Sequence, residues 1–244
     1  MKFELIPILD FIEDLYNKPR SQNRFKEYLF KLQGNSKDGL DLPIMGFNPM
    51  GKEHALQKIE ELKYLEAEDI IRKTLNELNS KLNNQNSKTI KVVLNLADNL
   101  GGAWTNRYAT DFDSKFKINA LVARNFCTPY FWTSESYHKA LVKKRTLEYA
   151  YRTVYWLENV GPSTLEDHVK QEIFVHKQIG NTSIQGKKKM FDTIQKFYEA
   201  YRYEDEYSVL FNFFYGDAAS SSLGYPTYGI KEVNGFDYAK KLAS

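Results

Sequence analysis

The chain has one cysteine, Cys127, in 244 residues, so no internal disulfide can form. With no base or helix start beside it, that thiol is expected to be buried and unreactive. No apolar run reaches the length of a membrane span. The first residues carry Glu4, Asp10, Glu13 and Asp14, and they lack the unbroken apolar centre and small-residue cleavage site of a secretory signal. Together these absences predict a cytoplasmic protein with no membrane partner. Charge of one sign is also missing. The 34 basic and 31 acidic residues are interspersed and leave a net charge of +3. The densest basic runs, Lys143-Lys144-Arg145 and Lys187-Lys188-Lys189, are short. Nucleic-acid binders concentrate positive charge on one face, so nucleic acid is not an expected partner.

Several motifs are absent as well. The glycines of the 95–113 segment fit neither a dinucleotide fingerprint nor a phosphate loop. The spacing of His168, Glu172 and His176 is neither the His-Glu-x-x-His of a zinc peptidase nor the Glu-x-x-His of a di-iron bundle. Ser220-Ser221-Ser222 lacks the flanking glycines of a hydrolase elbow and reads as a loop or lid. The residues name no cofactor, and no internal repeat is visible.

What the chain does have is an ordinary globular balance, 42% hydrophobic and 27% charged, with 17 tyrosines and 16 phenylalanines. Residues 4–32 read as helical with a break near Asn17-Lys18-Pro19. Residues 33–53, with repeated glycine and proline, read as a long irregular connection. A helix from about 50 to 80 follows, with Leu56, Ile59, Leu62, Ile70 and Leu75 near helical spacing. The β-branched run Thr89–Ala97 predicts a strand, with further strands near 105–112 and 117–127. Helices are expected over 134–159, 163–179 and 187–215, the second capped by Ser163 or Thr164 and stopped by Gly180. The fold class is therefore α+β, predominantly helical, with a small sheet of about two to four strands around residues 88–127. It is read as one domain: an N-terminal helical region over 1–84, sheet and loop over 88–130, a C-terminal helical region over 134–215 and a loosely packed tail over 216–244.

Two groups of residues carry the functional expectations. The first is the segment 95–113, where an apolar strand opens into Gly101-Gly102. Asp98, Asn99, Gly101, Gly102, Trp104, Asn106, Arg107 and Tyr108 are its candidate ligand-binding residues. Arg107 offers a bidentate clamp for an anion, Trp104 and Tyr108 offer stacking faces, and Asp98, Asp111 and Asp113 offer carboxylates. Trp104 and Arg107 are expected to face a cleft. A bland alternative is a tight hairpin whose Asp and Asn side chains cap turns.

The second group is His168, Glu172 and His176, spaced by four along one ridge of a helix whose apolar stripe is Leu165, Val169, Val175 and Ile179. Ionisable groups on an apolar face must find partners, so Glu172 is expected to be buried and bonded to a neighbour, one of the histidines being the nearest. Both histidines cannot easily share one metal, because they lie about 12 Å apart along the helix. A structural seam or an acid–base role is favoured over a metal site. His168, Glu172 and Asp111 are the catalytic candidates. Arg145, Glu148 and Arg152 read as surface ion pairing, and His54 and His138 as solvated.

The function expected from this is binding of a small hydrophilic ligand, sugar-like or anionic, in a polar aromatic cleft on the 95–113 loop, with hydrolytic or other acid–base processing. The alternative is a non-catalytic interaction or homo-oligomerisation domain that uses the Tyr-rich stretch Tyr198–Tyr203 as its surface.

Overall fold

Phe3 and Leu5 point one way and Lys2 and Glu4 the other, a period of two that makes the start of the chain a strand. The computed structural model describes residues 1–34, 39–43, 48–51, 53–82, 88–100, 106–180 and 188–244. They divide into two compact units, Met1–Ala150 and Tyr151–Ser244.

In the first unit the elements run β1 (Lys2–Leu5), α1 (Leu9–Asn17), α2 (Gln22–Gln33), α3 (Glu53–Tyr64), α4 (Ala67–Asn79), β2 (Thr89–Val92), β3 (Asn95–Ala97), α5 (Arg107–Phe116), α6 (Asn119–Ala123), β4 (Phe126–Cys127), β5 (Tyr130–Trp132) and the start of α7 (Lys139–Glu158). The sheet order is β1-β2-β4, with β3 and β5 forming a second pair, and every pairing is parallel. Lys2 lies opposite Thr89, Lys91 opposite Phe126, and Asn95 opposite Tyr130. Hydrogen bonds from Val93 N to the Cys127 carbonyl and from Asn95 N to the Pro129 carbonyl join the two ladders. Pro129 has no N–H to give back, which is why the ladder breaks there.

A parallel pair needs long crossovers, and helices provide them here. β3 lies within a continuous buried run from Val92 to Asp98, as a strand covered on both faces does, whereas β2 alternates, with Ile90 and Val92 buried and Lys91 half-buried. Asn79, at the end of α4, closes the outer edge of β1. Its side-chain carbonyl accepts from Phe3 N and its amide donates to the Phe3 carbonyl, both at 2.8 Å.

The predominantly helical α+β class stands, but several elements differ from expectation. Residues 2–5 are β1, so the helical stretch expected from residue 4 begins only at Leu9. The expected helix over 50–80 is two helices, separated where Glu66 takes a left-handed φ of 58°. Residues 107–116 are α5 and not a strand, because Asn106 caps that helix by accepting from Ala109 N at 3.1 Å. The hairpin alternative fails with it, since β3 pairs in parallel with β5. That last strand lies beyond the expected sheet boundary.

The second unit holds the rest of α7, then α8 (Leu165–Ile179), α9 (Lys188–Tyr201), α10 (Tyr207–Ser222) and α11 (Gly235–Ala243). Thr164 caps α8 in a reciprocal box with Asp167, and Gly180 ends it at φ 81°. The stretch from 216 onward is not a loose tail. Ser220, Ser221 and Ser222 lie within α10, and α11 packs against α8. Gly216 takes φ 78° inside α10, where a Cβ would come within 2.9 Å of the Ile230 carbonyl. This kink aims Asp217 at the chain beyond, and its carboxylate accepts from the amides of Tyr228, Gly229 and Ile230. Among the described residues no helix is long and apolar enough to cross a membrane.

Candidate functional site

In parallel sheets, binding groups gather just beyond the carboxyl ends of the strands, where loops leave a rigid support. Asp98 follows β3 directly and is 5% exposed. Its Oδ1 accepts from His54 Nε2 at 2.8 Å, from Thr133 Oγ1 at 2.8 Å and from Leu100 N at 3.0 Å. Thr133 follows β5, so the two strand ends are stitched together at this carboxylate. Asn99 adds to the stitch: its side-chain amide donates to Ser134 Oγ at 2.8 Å, and its side-chain carbonyl accepts from Ser134 N at 3.2 Å. The His54 side chain, from the first turn of α3, is about a quarter exposed, so it presents a solvent-reachable imidazole backed by a buried carboxylate.

Beside this pair lies a second charged group. Arg107, the first residue of α5, donates through Nη1 to Ser134 Oγ at 2.8 Å and through Nη2 to Glu135 Oε1 at 2.7 Å. Its guanidinium sits 5.5 Å from the centre of the Trp132 ring. Glu135 is shared: Arg145 Nη1 reaches its other oxygen at 2.5 Å, and the Tyr137 hydroxyl lies 2.9 Å from the same atom. Burial alone would raise the Glu135 pKa, but bonds from Arg145 and Tyr137 and the charge of Arg107 outweigh it and hold the carboxyl below its usual range. Arg145 is shifted the opposite way. Burial works against its charge, but Glu135 more than compensates. Burial, reinforced by the neighbouring Glu135 charge, pushes the Tyr137 phenol up. The Arg107 side chain remains about two-fifths exposed, so one cation of the group still faces water.

The other expected residues fall out as follows. Asn106 is the cap of α5, and Tyr108 is an exposed ring on that helix. Asp111 pairs with Lys115 and Asp113 with Lys117 along α5, so both carboxylates are engaged on their own helix. Gly101, Gly102 and Trp104 lie outside the described residues. A cavity of about 340 Å³ lined by Ile6, Lys31, Asp41 and Lys91 among others is a separate feature, and no expected site residue lines it.

Four participants went unread in the sequence: His54, Thr133, Ser134 and Glu135. His54 is not simply solvated. Its available signal was weak, being one histidine near a helix start. The passage Tyr130-Phe131-Trp132-Thr133-Ser134-Glu135 was more readable, because it repeats the pattern of 94–99, an apolar strand opening into hydroxyl, amide and acid groups. Nor is the Arg145, Glu148, Arg152 series a surface ladder. Arg145 and Arg152 are largely enclosed and grip other glutamates, while Glu148 stands 3.7 Å from Lys144.

In the second unit, Glu172 is fully buried and bonded as expected, but its main partner is Arg152 rather than a histidine. Arg152 Nε and Nη2 reach its two oxygens at 2.7 and 2.6 Å. Gln171 Nε2 adds a third bond at 2.9 Å, and the Gln171 side-chain carbonyl accepts from Trp156 Nε1 at 2.6 Å. Burial opposes the Glu172 charge, but Arg152 wins and lowers its pKa. His168 is 4% exposed, and burial pushes its pKa down from 6.5 to about 4, against the pull of Glu172 and Asp167. It is therefore held neutral at pH 7. This is the geometry of a packed polar seam between α7 and α8. Cys127 is buried in β4.

Among the described residues, no three His, Cys, Asp or Glu side chains converge as a metal-ligand set. The candidate site is thus a buried carboxylate behind a histidine, next to a partly exposed arginine over an indole. No family model matches this chain, and no curated protein or solved structure matches it either.

Proposed function

We propose that the chain binds a small hydrophilic ligand, anionic or sugar-like, over the carboxyl ends of β3 and β5, and that His54 backed by Asp98 serves acid–base processing of it, hydrolysis included. The carrying observation is the His54–Asp98 contact at 2.8 Å. A buried carboxylate fixes the orientation and tautomer of the imidazole, as a general base requires. Arg107 supplies the anion contact, since its exposed guanidinium can exchange Ser134 for a ligand oxygen. Tyr108 offers an exposed ring nearby in the chain. The acid–base role falls to His54 rather than to His168 or Glu172, because the Glu172 oxygens are taken by Arg152 and Gln171. The interaction alternative has less support. Tyr198 packs on Phe213 and Tyr238, and Tyr201 packs on Phe197 and Tyr228.

The test is a thermal-shift panel of sugars, sugar phosphates and small carboxylates. At least one member is expected to raise the melting temperature of the wild type, with the rise abolished in Arg107→Ala and Asp98→Asn. His54→Gln should still bind that ligand but fail to convert it. A panel with no stabilising member, or a response unchanged in both variants, overturns the proposal.

A further inference from the structure

Arg24 lies in the first turn of α2, on the buried face that it shares with Tyr28 and Leu32. It is 2% exposed. Its Nη1 donates to the Lys18 carbonyl at 3.2 Å, and the guanidinium stacks over the Tyr16 ring at 4.4 Å. Its Nε and Nη2, the two donors on one edge of the fork, have no hydrogen-bond partner among the described residues. Burial of a charge whose donors are left unmatched is among the least favourable arrangements a fold can hold. The chain also shows what this edge does when served: in Arg152 the same two atoms hold both oxygens of a carboxylate.

The surroundings favour an anion. Burial lowers the Arg24 pKa most; Tyr16 pulls it back up, and Arg20, close enough to add positive potential, lowers it further. The first turn of α2 contains no acidic residue, and Ser21 at its cap makes no side-chain capping bond. Glu27, on the next turn, is engaged with Lys18. The Tyr16 hydroxyl donates to the Asn48 carbonyl at 2.5 Å, so its hydrogen is not turned toward the guanidinium. A helix start that lacks acids and a cap, next to two arginines, attracts negative charge.

We infer that the Nε–Nη2 edge of Arg24 is an oxyanion-binding edge that takes the carboxylate or phosphate group of a small molecule in a bidentate grip. Its planar fork matches two oxygens of either group, which a lysine cannot do. The site involves neither His54 nor Arg107 and stands whether or not the proposal for β3 and β5 holds.

The experiment follows arginine Nε–H resonances of the full chain by NMR. Sodium phosphate and sodium acetate are titrated separately, with chloride keeping ionic strength constant. One Nε–H correlation is expected to move saturably and to be missing from Arg24→Met, whose affinity for the same anion falls at least about tenfold. Arg24→Lys assigns the signal if the Met variant does not fold, and it too should bind more weakly. Response to phosphate alone identifies a phosphate group as the ligand chemistry, acetate alone a carboxylate, and both a general oxyanion edge. If no arginine resonance moves saturably with either salt, or if the moving one persists in the Arg24 variants, the inference is wrong.

Discussion

Arg145 and Arg152 belong to one helix, and each grips a glutamate, but the two pairs differ in how they end. Around Arg145 the glutamate is shared onward with Arg107, whose side chain is about two-fifths exposed. Around Arg152 the glutamate is closed by Gln171, which Trp156 holds in turn, and Arg152, Gln171 and Glu172 are all buried. The same chemistry therefore serves two ends. A chain of charges that terminates at solvent leaves a cation able to exchange partners, whereas a closed one only fixes packing. The contrast also explains why a buried Arg–Glu pair by itself is weak evidence for a site.

The closed cluster should be the more sensitive to damage. Arg152→Met leaves the Glu172 carboxylate buried without its cation and is expected to destabilise the second unit by about 3–5 kcal/mol in urea unfolding. Arg152→Met combined with Glu172→Leu should recover most of that loss, because no uncompensated charge remains. A single variant that unfolds like wild type would show that the cluster opens to water.

Acid should find the same place next. A histidine with a folded-state pKa lowered from 6.5 to about 4 binds its proton more readily when unfolded. Its contribution to stability is thus complete above about pH 6.5 and is lost as pH falls toward 4, on the order of 3 kcal/mol in all. The lowered Glu172 pKa acts in the same direction at more acid pH, since its ionised form is also the folded form. Hydrogen exchange of α8 amides across this range should show the loss, and His168→Asn should flatten it. A wild-type profile flat from pH 6.5 to 4 would mean that His168 is not held neutral.

The open cluster should respond more mildly. Glu135→Gln deprives Arg145 of its ionic partner but keeps an acceptor oxygen, for an expected loss of about 1–3 kcal/mol by denaturant midpoint. A loss as large as that of Arg152→Met would erase the distinction between the clusters. Smallest of all, Arg107→Ala should change stability by less than about 1 kcal/mol, because exposed pairs are screened. Its effect is expected instead on ligand-induced stabilisation. A large stability loss there would make Arg107 a structural residue.

What could be read from the residues in order was whatever local pattern sets. Helical spacing and the cap candidates Ser163 and Thr164 gave α8, and Gly180 gave its end. The apolar run at 89–97 gave β2 and β3, and Asp98 and Arg107 stood out beyond it. His54 did not, because its importance comes from Asp98, which is 44 residues away in the chain. Glu135 was passed over for the same reason, since its meaning lies in two arginines on different helices. Glu4 and Leu5 were absorbed into the longer helical pattern that follows them, because a four-residue strand carries too few repeats for a period of two to compete.

What the sequence by itself determined is the set of helices with strong periodicity and caps, the buried central strands, and the apolar face that draws Glu172 inward. These follow from backbone geometry and water's exclusion of apolar groups, which act over a few turns of chain. Tertiary structure alone decided which cation meets which carboxylate, that the strands pair in parallel, and that the Arg24 edge is enclosed with no partner among the described residues. Those outcomes depend on groups far apart in the chain, and charges and hydrogen bonds act only over a few ångströms once the chain has brought them together.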